Sequence, residues 1–100
     1  MIPTADEEKM VAIIAMQLAS RQRQILEYAA ANGGVYCKSE MSRSLNIPQS
    51  SLVRASARLE EFGLVKLSHI EMTRNEQIKK FYVLTPLGER IAAACKEVRP

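Results

Sequence analysis

The feature that most constrains this chain is a pair of amphipathic helical segments joined by a short break around Asn46-Ile47. Met41 and Leu45 stand i,i+4 apart and give a short segment, from about Ser39 to Leu45, a single apolar face. Asn46-Ile47-Pro48 interrupts it, because proline disfavours a helical residue before it. Pro48 also suits the first turn of a new helix, where its missing N–H costs no hydrogen bond. That second helix is expected from Pro48 to about Phe62, with Leu52, Ala55, Leu59 and Phe62 spaced by 3 and 4 and Gly63 ending it. If those four residues face a core, the opposite face can be calculated at about 100° per residue. It carries Gln49, Ser50, Arg54, Ala57 and Arg58, with Ser51 and Val53 at its edges. Two helices joined by a tight turn, the second basic and amphipathic, form a helix-turn-helix pattern.

The flanking punctuation places the remaining elements. Thr4 followed by Glu7 is a capping-box signal for a first helix from about Ala5 to Ala19. Ser20 reads as the N-cap of a second helix carrying Ile25, Leu26, Tyr28 and Ala29, which Asn32-Gly33-Gly34 ends. Val35-Tyr36-Cys37 is short, β-prone and bounded, and Ser39 is the expected cap of the helix that follows. After Gly63, Leu64–Leu67 and Lys80–Leu84 are strand-like, with the polar tip Thr73-Arg74-Asn75-Glu76-Gln77 between them. Thr85-Pro86 restarts a helix whose stripe is Leu87, Ile91, Cys95 and Val98. The predicted fold is mainly α with a small β-hairpin wing, a winged helix-turn-helix flanked by N- and C-terminal helices. One hundred residues accommodate one domain: a terminal helix over 1–19, a core over 20–84 and a closing helix over 85–100.

Charge sharpens the functional reading. The net charge is +3, but residues 1–20 carry a balance of −2 and residues 21–60 one of +3. Positive charge concentrated mid-chain suits an anionic partner. No apolar run reaches the ~18–20 residues that span a bilayer, and Met10–Leu18 opens with acids instead of a basic signal flank. The expected location is cytoplasmic. Cys37 and Cys95 make no CxxC pair, which argues against a metal knuckle. Two reduced, partly buried thiols are expected, the alternative being an intermolecular disulfide.

Four segments together resemble winged-helix domains of the MarR type or related small prokaryotic regulators. They are Arg23-Gln24-Ile25-Leu26-Glu27-Tyr28, Ser39-Glu40-Met41-Ser42-Arg43-Ser44-Leu45-Asn46-Ile47, Leu59-Glu60-Glu61-Phe62-Gly63-Leu64-Val65 and Tyr82-Val83-Leu84-Thr85-Pro86-Leu87-Gly88-Glu89-Arg90. The chain is shorter than full-length MarR-type proteins, and its tip Arg74-Asn75-Glu76 lacks the Asp-x-Arg pattern usual there. The resemblance implies that the 48–62 helix enters the major groove and that the hairpin, about 64–84, is a wing on the backbone or minor groove.

The expected partner is therefore double-stranded DNA, and the expected role a small transcriptional regulator. Gln49, Ser50, Ser51, Arg54 and Arg58 are the candidate contacts on the helix, where Gln can read adenine, Arg can grip guanine O6 and N7, and Ser can serve bases or phosphate. Arg74, Lys79 and Lys80 are the candidates on the wing, facing phosphate or the minor groove. Arg21 and Arg23, in a helical first turn, are second-rank backbone contacts. His69 is expected on the sheet surface and not as a ligand or switch. The first helix is apolar over more than one face, with Met10, Ile13, Ile14 and Leu18 as its main stripe and Val11, Ala15 and Ala19 beside it. With the last helix it suggests a homodimer interface. Catalysis finds no support, since Asp6 is the only aspartate, no nucleophile has an evident His partner, and no phosphate-binding glycine loop is present. No catalytic residue, metal site, cofactor or small-molecule effector is evident. The alternative function is a winged-helix protein–protein module in a larger transcription, replication or remodelling assembly, which should show an apolar patch in place of the basic one.

Overall fold

The computed structural model describes residues 5–97. Thr4, and with it the first capping box, lies outside the described residues, as does Val98. The elements run α1 (Ala5–Gln17), α2 (Ser20–Ala31), β1 (Val35–Cys37), α3 (Lys38–Leu45), α4 (Gln49–Glu61), β2 (Val65–Met72), β3 (Ile78–Leu84) and α5 (Pro86–Glu97). The three strands form one antiparallel sheet in the order β1-β3-β2. This is the mainly α architecture with a β wing that the sequence predicts.

The helix boundaries follow local chemistry, with shifts of one or two residues. α1 stops at Gln17 instead of Ala19, and Leu18, just past its end, is buried in the core. Ala19, not Ser20, holds the α2 cap position, and the Gln22 side chain accepts the Ala19 N–H at 3.0 Å. Cys37 holds the cap position of α3, one place before the helix and two before Ser39. Asn46 adopts the left-handed conformation, φ 54°, that turns α3 into α4. The Ser42 hydroxyl donates to the Ile47 carbonyl at 2.6 Å, and the Ile47 N–H returns to the Ser42 carbonyl at 3.1 Å. Those two bonds fix the helix-turn-helix corner, since they satisfy backbone groups that the end of a helix leaves open. Thr85 is the N-cap of α5, as expected: its hydroxyl accepts the Gly88 N–H at 3.0 Å and donates to the Gly63 carbonyl at 2.6 Å.

Ile25, Leu26, Met41, Leu52, Leu59, Leu64 and Ile91 are fully buried where α2, α3, α4, β2 and α5 meet. Each contributes about 1.5–3 kcal/mol of apolar burial. At Gly88, α5 passes close to the chain just before β2, where a Cβ would collide with the Leu64 carbonyl. A glycine is required there by space, not by backbone angle.

Expectations about the core are corrected at three places, the first being Leu87, which stands exposed on α5 while Ile91 and Cys95 of its expected stripe are buried. Phe62 is 51% exposed, because it follows the last turn of α4 and Gly63, at φ 73°, swings the chain away before its ring can join the stripe. On α1 the inward residues are Val11, Ala15 and Leu18, with Ile14 half-buried, while Met10, Ile13 and Met16 are exposed. The expected single stripe of Met10, Ile13, Ile14 and Leu18 is thus divided between two faces. The face that packs on α5 is the one whose spacing, 4 then 3, matches a helical row.

Candidate nucleic-acid interface

α4 presents two chemically opposite faces. Leu52, Ala55, Ser56 and Leu59 are buried, and Gln49, Ser50, Val53, Arg54, Ala57 and Arg58 are exposed, with Ser51 between. Ser56 was not part of the expected stripe. It is buried because the Tyr36 hydroxyl lies 2.6 Å from its own, tying β1 to the back of α4. Burial pushes the Tyr36 phenol up to about 12, and the Ser56 hydrogen bond offsets only part of that rise. The signal available in sequence was Ser56 at i+4 from Leu52, on the buried arc.

The exposed arginines differ in freedom. Arg58 meets Glu61 at 3.2 Å in a solvent-exposed pair, an interaction that constrains it little. Arg54 has no ion-pair partner among the described residues. Both line an open groove of ≈ 420 Å³ between α2 and α4, together with Arg21, Gln22, Ser50 and Ser51. Arg21 is thus brought to the same surface as the α4 residues, a convergence that sequence spacing does not disclose. Arg23 is directed elsewhere. Its Nη2 donates to the Met16 carbonyl at 3.1 Å, placing a cation at the C-terminal end of α1, where the helix dipole favours one.

On the wing, Arg74 lies in the tip, closed by the Thr73 N–H to the Gln77 carbonyl at 2.8 Å. Lys80 is exposed, with no ion-pair partner among the described residues. Lys79 points to the other face of the hairpin and is engaged, its Nζ 3.1 Å from Glu40 Oε1 on α3. His69 lies on the sheet surface as expected, stacked on Phe81 at 4.7 Å and 3.6 Å from Glu71. Both cysteines are free and buried, Cys37 with its sulfur 3.2 Å from the Ser39 hydroxyl. Among the described residues, no group of three or more His, Cys, Asp or Glu is placed to hold a metal ion. No helix among them is long and apolar enough to cross a membrane.

No family model and no curated protein matches the sequence. Solved structures do match the fold. A cysteine variant of Lactococcus lactis ZitR is similar at TM-score 0.65 and 23% identity, over 81% of this chain and 52% of that one. A doubly substituted ZitR described as an apo form gives TM-score 0.64 and 22% identity, over 89% and 64%. The adhesin competence repressor (AdcR) of Streptococcus pyogenes gives TM-score 0.65 and 18% identity, over 94% and 72%. This chain spans about half the length of the first of these. The apo description implies a ligand-bound form for that ZitR protein, so the likeness lends no support to an effector-free reading. At these identities the likeness is one of architecture: the chain has the winged-helix fold implied by the MarR-type resemblance of its four segments.

Proposed function

We propose that this chain binds double-stranded DNA sequence-specifically, as a small transcriptional regulator acting in the cytoplasm. α4 lies in the major groove, and the β2–β3 wing contacts the backbone or minor groove. The observation that carries this reading is the exposed face of α4, where Gln49, Ser50, Arg54 and Arg58 project from a helix whose other face is anchored in the core. Gln49 and Arg54 are the base-reading residues, Arg54 free to approach guanine N7 and O6. Ser50, Ser51 and Arg58 hold phosphate or base edges, and Arg21 joins them from the shared groove. On the wing, Arg74 and Lys80 make the backbone contacts. Lys79 can join them only by giving up Glu40.

The same reading includes a homodimer through the terminal helices, whose support is the unpartnered outer face Met10, Ile13 and Met16 of α1. Two copies would place two recognition helices on half-sites about one helical turn apart. The chain is a single domain on this account, with residues 1–19 and 85–100 serving association and 20–84 reading DNA. The site is one for binding, not catalysis. A repressor among the structural neighbours agrees with this assignment.

A second reading, a protein–protein module, has one specific observation in its favour: Leu67, Ile70, Met72 and Ile78 leave apolar surface exposed on the wing. Fluorescence anisotropy with random-sequence and upstream-region duplexes across a salt series separates the two. The DNA reading expects tight binding with a steep negative salt slope, strongest on one sequence. Absent or uniformly feeble binding at low salt would transfer the assignment to the protein module.

A further inference from the structure

In the order β1-β3-β2, β2 is an outer strand, so one row of its backbone N–H and C=O groups faces away from the sheet. Residues 66–71 along that edge are all exposed. Charges and bulges ordinarily keep such edges from pairing at random, and β2 has both, in a specific arrangement. β3 leaves Ser68 without an opposite residue, pairing Leu67 with Tyr82 and His69 with Phe81. The alternation of β3 then places Leu67 and Ile70 on one face of the sheet, and Lys66, His69 and Glu71 on the other. The Ser68 hydroxyl lies 3.1 Å from His69 Nδ1, which puts it on the side of His69. Without the extra residue, alternation would send Leu67 and Ile70 to opposite faces.

Outward from the Ser68–His69 peptide bond, the strand therefore repeats itself in mirror order. Ser68 and His69 come first on one face, then Leu67 and Ile70 on the other, then Lys66 and Glu71 on the first. A copy of β2 running antiparallel about a two-fold axis beside that bond matches every position. It sets Leu67 opposite Ile70 of the second copy, and Lys66 opposite its Glu71, each pair occurring twice. An unrelated strand could follow this edge only by leaving Ser68 unpaired, as β3 does. The charges are available for it. Lys66 has no ion-pair partner among the described residues. Glu71 has the exposed His69 at 3.6 Å, and Lys79, opposite Glu71 across the hairpin, is held by Glu40. We propose that β2 pairs edge to edge with β2 of a second copy of this chain, in the register that sets Lys66 against Glu71. The contact uses neither α1 nor the exposed face of α4, so it forms beside the α1 contact and links dimers into larger assemblies. Residues 66–71 fall well short of the about 20–30 residues a side of a standard stable interface, so the step is weak, with a Kd of about 0.1–1 mM.

Sedimentation velocity of the full chain over a concentration series, without DNA, tests the contact. Species larger than those present at micromolar concentration should appear at several hundred micromolar. Lys66→Glu should weaken that step roughly tenfold, because both symmetry-related pairs become like-charged. Adding Glu71→Lys to it should restore the step, which a merely structural role for either residue would not do. Ser68→Cys, beside the axis, should form a disulfide-linked pair with diamide as oxidant, and Gln77→Cys in the tip should not. Ile13→Glu removes the α1 contact but should keep the weak step, so failure of one contact is distinguishable from failure of the other. Urea midpoints establish that each variant is folded. Larger species that persist unchanged in folded Lys66→Glu, or that fail to return in the double variant, would overturn the proposal. A chain that keeps one size at every concentration would overturn it as well.

Discussion

Tyr36 and Ser56 join the sheet to α4 through one buried hydroxyl pair, and the phenol has a pH signature. Its ordinary value near 10 holds in the unfolded chain, whereas burial raises it to about 12 in the folded one. The unfolded state therefore loses this proton first. The stabilisation is fully present below about pH 10 and is lost as pH climbs from there to about 12. Tyr36→Phe should remove that part of the alkaline loss, seen in urea unfolding at pH 9, 10 and 11. Near neutral pH the same variant should cost about 1–3 kcal/mol, because Ser56 is left buried without its partner. Gly88→Ala should lower stability by about 1–3 kcal/mol, since α5 must move away from the Leu64 carbonyl. An unchanged thermal midpoint in that variant would show that the approach of α5 to Leu64 is looser than described. Neither residue's environment was legible in the sequence. Ser56 and Gly88 look like a surface serine and a turn glycine until the elements that close on them are placed, because burial is set by residues distant in sequence.

At the scale of elements, local chemistry was far more legible. The α3–α4 corner, the Thr85 cap and the Gly33–Gly34 turn each depend on residues within a few positions of one another, so spacing alone disclosed them. Arg21 and Arg23 show where that reach ends. Two positions apart on one helix, they point to different neighbours, Arg21 to the groove with α4 and Arg23 to the end of α1. α1 posed the harder problem, being apolar on both sides, and periodicity does not say which side meets α5. The division has a test. Ile13→Glu adds charge to the exposed face, and it should yield a monomer in sedimentation at micromolar concentration while helical circular dichroism persists. Leu18→Glu buries a charge and should instead lower the unfolding midpoint. Micromolar self-association surviving in folded Ile13→Glu would place the dimer contact elsewhere. The wing's extension from Ser68 to Met72 was likewise hidden, because the register shift at Ser68 breaks the alternation that marks a strand.

For the whole molecule, the fold divides its labour along the chain. The terminal helices pack on each other and leave an apolar face outward, the middle helices anchor α4, and the sheet extends into the wing. On the proposed reading a single copy presents one DNA-reading helix, and discrimination against the background of random DNA rises steeply when two are coupled on adjoining half-sites. The central claim is that α4 reads base edges and does not merely supply charge. It is tested most directly by the affinity ratio between a duplex enriched from a random pool and random-sequence duplex, at fixed salt, for the unsubstituted protein and for Arg54→Ala. Loss of one bidentate guanine contact, about 1–3 kcal/mol, should reduce that ratio by roughly 5- to 150-fold per half-site. Affinity for random sequence should fall much less. A ratio unchanged by Arg54→Ala, with tight binding retained, would contradict the assignment of α4 as the reading helix through this residue.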